Sequence, residues 1–193
     1  MKKYLLFPAW LLFSATSYTQ TKPNPILTEG ATLLFKDTKS KLTIEEKNWL
    51  FKHINFTVSK DKKQFMSGEY EVAVQTYVTD INKDGKEEVF IVMHSGALFG
   101  NTGENFAMYM KNSKGLFEYR DELGGGIAMI LASKSLGYPD MAIGGPGFKF
   151  PAYRWDGKKY KYFKDIKDAD LQSKKVKVMD LAECSKQYAD TIK

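Results

Sequence analysis

The feature that most constrains this chain is a change of rhythm at Tyr70. From there to Phe163, apolar side chains either alternate with polar ones or come in short runs bounded by Gly, Asn, Asp and Pro. Alternation with period two is how a half-buried strand reads, and a short unbroken apolar run is how a strand buried on both faces reads. The spacing predicts strands at residues 70–79, 88–94, 106–111, 116–121, 127–132, 141–144, 150–155 and 159–163. Residues 112–115 supply one hairpin turn. Asp156-Gly157 supplies another, of the two-residue kind whose central positions take positive φ. The expected fold is α+β and β-rich, a small antiparallel sheet domain.

Helices flank this sheet region. Thr43 followed by Glu46 is a capping box: the hydroxyl takes a first-turn amide and the carboxylate reaches back, which starts a helix at Ile44 and carries it to about His53. Its apolar face is Ile44, Leu50, Phe51 and Ile54, with Trp49 at the edge. A C-terminal helix spans residues 180–192 with Leu181, Cys184 and Tyr188 on one side. Residues 20–42, rich in Thr, Pro, Lys and Asn, read as an extended arm with one edge strand at most. Residues 43–193 then form a single domain.

The N-terminus reads as a leader. Lys2 and Lys3 precede an apolar run from Tyr4 to Ala15, followed by small and polar residues to Gln20, which is the layout of a cleavable signal peptide over residues 1–19. The run is shorter than the ~20 residues a membrane span requires, and Pro8 interrupts it. Cleavage after Ser17 and after Thr19 both satisfy the small-residue rule. The expectation is an exported protein, periplasmic or secreted, with no membrane span and no lipid anchor on cysteine. Loss of Lys2 and Lys3 lowers the formal net charge from +6 to +4. That mild excess favours acidic partners, an envelope protein or a cell-wall polymer, but lacks the clustered Lys and Arg that nucleic-acid binding needs. Cys184 is the single cysteine, so no internal disulfide forms.

One loop carries chemistry. Asp80, Asn82, Asp84 and Glu88 occupy loop positions 1, 3, 5 and 9, Gly85 stands at position 6 where the chain turns sharply, and the Lys86 carbonyl falls at position 7. Alternate oxygen-bearing residues around a tight turn all point inward, which is how a hard cation such as calcium is held. An EF-hand is a poor match because Ile91 occupies position 12, where a bidentate Glu is needed, and because strands flank the loop. The strand-loop-strand setting, with the loop running directly into Val89-Phe90-Ile91-Val92-Met93, instead resembles the calcium loops of FG-GAP and VCBS-type repeats. Residues 137–147 resemble a second copy whose loop has lost its metal: aligning Glu88 with Asp140 puts Ala132, Lys134 and Leu136 at the first three ligand positions. The resemblance implies calcium as cofactor, with Asp80, Asn82, Asp84, Lys86 and Glu88 as the ligand set.

No catalytic centre emerges, and the chain does not read as an enzyme. His53 and His94 lie in no metal or protease spacing. His94 and Ser95 are adjacent on a strand and point to opposite faces. Asp121 and Glu122 serve a glycosidase only if the fold sets two carboxylates across a cleft. The glycine-rich stretches 95–105, 124–126 and 144–147 lack the signature of a phosphate loop. Tyr153, Trp155, Tyr160 and Tyr162 straddle the Asp156-Gly157 hairpin and read either as sheet-stabilising pairs or as a sugar- or protein-binding face. Leu98 and Phe99, flanked by glycine and polar residues, suit insertion into a partner's cleft if exposed. Three readings follow: a calcium-stabilised binding module; a periplasmic inhibitor or immunity protein that plugs an envelope enzyme with loop 95–105; and a hydrolase with a dispersed carboxylate site.

Overall fold

The computed structural model describes residues 24–123, 126–145 and 147–192, so the expected leader lies outside the described residues. Two antiparallel sheets form the molecule. In the first, β1 (Thr57–Val58), β2 (Phe65–Ser67), β3 (Tyr70–Thr79), β4 (Glu88–His94), β5 (Glu104–Lys111) and β6 (Phe117–Tyr119) lie in sequence order. In the second, β7 (Ile127–Ser135), β8 (Tyr138–Gly144), β9 (Lys149–Trp155) and β10 (Tyr160–Lys167) form a meander, and β11 (Val178–Met179) returns to pair with β7. The fold is the expected β-rich α+β domain, with helices at both ends of the described chain.

The sheets stack face to face. Phe90, Phe106, Met108 and Met110 of the first meet Ile130, Met141, Ile143 and Tyr160 of the second. The opposite face of the first sheet, with Val72, Val89, Ile91 and Tyr109, is covered by residues of α1 (Glu29–Leu34) and α2 (Ile44–His53). Strand β4 is therefore buried on both faces, with Val89, Phe90 and Ile91 fully enclosed, which explains its unbroken apolar run. The outer face of the second sheet packs Leu131, Ala142, Ala152 and Ile166 against Leu171 of α3 (Asp168–Gln172).

The stretch expected to be an extended arm with an edge strand is a packed element instead. Thr28 caps α1 by accepting from the Ala31 amide at 3.3 Å, and Asn48 of α2 bonds both the Thr28 amide and the Ile26 carbonyl. Helix α1 rides directly on α2 at Gly30, where a Cβ would fall 2.0 Å from the Phe51 ring. Leu34, Phe35 and Leu42 are buried, and ordering this segment is favoured by that burial. The capping box of α2 is present as read, whereas Ile44 lies off the buried face and is exposed.

Helix α4 (Leu181–Thr191) settles against an open sheet edge. Strand β2 pairs with β3 only as far as Val72, leaving the rest of that edge without a strand. Ser185 of α4 fills part of the gap: its hydroxyl accepts from the Val78 amide at 3.2 Å and donates to the Val78 carbonyl at 2.9 Å. Thr38 donates to the Thr76 carbonyl at 2.9 Å. A strand edge left bare is a template for unwanted pairing, and covering it with a helix is one remedy.

Candidate functional site

The loop between β3 and β4 is organised by its own side chains. Asp80 accepts from the Asp84 amide through Oδ1 and from the Gly85 amide through Oδ2, both at 2.9 Å. Asn82 Oδ1 accepts from the Asp84 amide at 3.1 Å, and Asp84 Oδ1 from the Lys86 amide at 2.8 Å. Lys83 and Gly85 take positive φ, 64° and 86°, which lets the chain reverse tightly enough for residues 80, 82 and 84 to share one interior. Ile81 pins the loop from below by entering the core between the sheets.

Glu88 is the deepest member, 1 % exposed at the first position of β4. Its Oε2 accepts from the Ile81 amide at 3.0 Å, and among the described residues no Lys, Arg or His forms an ion pair with it. Burial, then the charges of Asp84 and Asp80, push its carboxyl up to about 8, although the Ile81 amide pulls the other way. The Tyr138 hydroxyl faces the same group. Burial first, and the neighbouring carboxylates next, raise that phenol's pKa.

The adjoining Glu87 is also buried but has a different task. Its Oε1 accepts from the Lys41 amide at 2.7 Å and from the Tyr188 hydroxyl at 3.0 Å, joining the N-terminal segment, the loop and α4. Sequence reading missed this residue because a carboxylate beside a polar turn reads as solvated.

The second meander lacks an equivalent loop. Strands β7 and β8 are joined by Leu136 and Gly137 alone, both at positive φ, and Ala132 and Lys134 lie within β7. Asp140 instead lies within β8, 0 % exposed, accepting from Arg154 at 2.9 and 2.7 Å and from Ser133 at 2.6 Å. Burial opposes its charge, but these donors outweigh it and hold the carboxyl below the usual range.

The remaining candidates are dispersed. Leu98 and Phe99 are half-buried against the core of the first sheet, and their outer side borders a shallow cleft of about 360 Å³ with Asn105, Gly126 and Gly144. The loop around them is a bonded turn, the Phe99 amide donating to the Ser95 carbonyl at 3.0 Å. His94 Nδ1 sits 3.4 Å from Glu104 Oε2 at the base of this loop. His53 stacks on Trp49 at 3.6 Å. Glu122 accepts from the Tyr160 amide at 2.9 Å, a structural bond. Tyr153 opposes Tyr162 and Trp155 opposes Tyr160 across the β9–β10 hairpin, each pair edge to face. Among the described residues no group of three or more His, Cys, Asp or Glu side chains is gathered as a preformed metal cluster, and no helix is long and apolar enough to cross a membrane.

No protein-family profile, curated protein or solved structure matches this chain.

Proposed function

We propose that this chain is an exported binding module stabilised by calcium in the loop Asp80, Asn82, Asp84, the Lys86 carbonyl and Glu88. The observation that carries the reading is Glu88: a buried carboxyl with no cationic partner, lying beneath two further carboxylates. A divalent cation supplies the missing charge. The amides that bond Asp80, Asn82 and Asp84 do not exhaust them, because a carboxylate offers about four acceptor sites and keeps lone pairs for a metal. Calcium accepts such a mixed set, completed by a main-chain carbonyl and water. The metal would fix the start of β4, whose other end launches loop 95–105, the proposed contact surface, with the outer edges of Leu98 and Phe99 at its rim. The positive net charge favours an acidic envelope partner.

The test is a melting curve with calcium and with chelator, read beside retention of envelope fractions on the immobilised chain. Calcium at ~100 times its dissociation constant should add ~2.7 kcal/mol of stability. Asp84→Asn, which keeps an acceptor for the Lys86 amide but removes the charge, should shrink the shift. An unchanged melting temperature in both arms sinks the metal; retention indifferent to chelator sinks its link to binding.

A further inference from the structure

A cleft of about 500 Å³ opens where the β3–β4 loop meets the β5–β6, β7–β8 and β9–β10 hairpins. Tyr138 and Trp155 form one wall, their ring centroids 4.9 Å apart and their planes tilted by 48°. Trp155 is held in place by Tyr160, 5.3 Å behind it in the intersheet core. The remainder is lined by cations, Lys86, Lys111, Arg120 and Lys158, and by two carboxylates, Asp84 and Glu118.

Arg120 is the telling residue. Its side chain is 10 % exposed, one Nη donates to Glu118 at 2.7 Å, and its buried Nε has no hydrogen-bond partner. That Nε is enclosed and out of a ligand's reach, so what the cleft presents is the exposed part of the guanidinium, and a carboxylate is the acceptor whose geometry matches such a group. Hydrogen bonds from Asn112 and Arg120 hold Glu118 below the usual carboxylate range, so it stays charged and occupied. Lys86 and Lys158 form no ion pair among the described residues, and Lys158 is presented by a hairpin whose Asp156 accepts from the amides of Lys158 and Lys159 at 2.9 Å. With Arg120 paired to Glu118 and Lys111 to Glu46, Lys86 and Lys158 stand against Asp84 alone, so the surplus at the cleft is positive by a single charge.

We infer that this cleft binds a short acidic saccharide, a pyranose bearing a carboxylate, with the ring against Trp155 and Tyr138 and the carboxylate at Arg120 and Lys158. A sugar ring offers an apolar C–H face and a rim of hydroxyls, which suits an aromatic wall edged by polar groups. A planar base suits it less, because rings tilted by 48° leave no parallel slot. The volume lies within the range of small-molecule sites. The inference does not depend on the metal.

The experiment is a titration of trigalacturonate followed by tryptophan fluorescence, with maltotriose as the neutral comparator, in chelator so that no calcium bridges sugar and protein. The acidic trimer should bind about tenfold more tightly than the neutral one, and Arg120→Gln should weaken it about tenfold. Lys158→Glu, at an exposed hairpin position, should weaken it too while leaving the melting temperature unchanged, and serves if the Arg120 variant does not fold. Equal binding of maltotriose, indifference to both substitutions, or binding that appears only with calcium overturns the inference, as does no binding at about 10 mM. A calcium-insensitive melting temperature with intact saccharide binding would sink the metal loop and leave the cleft standing.

Discussion

A carboxyl group at the position of Glu88 either keeps its proton or acquires a cation. Its pKa rises from 4.5 in the unfolded chain to about 8 in the folded one, so without metal the folded state holds the proton more tightly. Stability from this group is then full below about 4.5 and is lost as pH climbs through 8, at ~1.4 kcal/mol per unit of difference, a few kcal/mol in all. Melting temperatures in chelator should fall between pH 5 and pH 8.5, and Glu88→Gln should flatten that slope. Saturating calcium should flatten it as well, since a metal holds the deprotonated form. A slope that survives Glu88→Gln would assign it to other groups. The loop was legible in the sequence because its oxygen-bearing residues are contiguous and their spacing is itself the signal. The cleft was not: Arg120, Tyr138 and Trp155 come from separate hairpins, and only the stacking of the two sheets brings them together.

The element whose role is most exposed to a single substitution is α4. Ser185→Ala removes one hydroxyl and strands both the amide and the carbonyl of Val78 at the β3 edge. Each unmet backbone group costs about 1 kcal/mol or more, and water entering at that edge offsets part of the loss. The melting temperature should drop by several degrees, and hydrogen exchange at the Val78 amide should quicken. An unchanged amide would mean that the edge is protected without the serine. Strands β3 and β4 and helix α2 have the bounds that alternation and the capping box predict, because those signals are local. Helix α1 escaped notice for a physical reason. Its six residues are too short to be helical alone, and its stability comes from Gly30 lying on the Phe51 ring, a contact between residues 21 positions apart. The short strands β1, β2 and β11 likewise owe their existence to a neighbour's edge.

At the scale of the whole molecule, the decisive fact is that neither sheet has a core of its own on its inner face. Phe90, Phe106 and Met108 complete their burial only against Ile130, Met141 and Tyr160. Denaturant unfolding watched at Trp49, in the helix layer, and at Trp155, in the second sheet, should give coincident transitions in single-tryptophan variants. Transitions that separate would show the two meanders to be independent units. The covering of the β3 edge has a further consequence, in the order of biosynthesis. Ser185 and Tyr188 belong to a helix that follows every strand among the described residues, so β3 stays uncapped and Glu87 half-satisfied until residues 181–191 are free to dock. The sealing of that edge therefore waits on a side chain 107 positions further along the chain, and until it arrives the bare strand is open to pairing with another molecule.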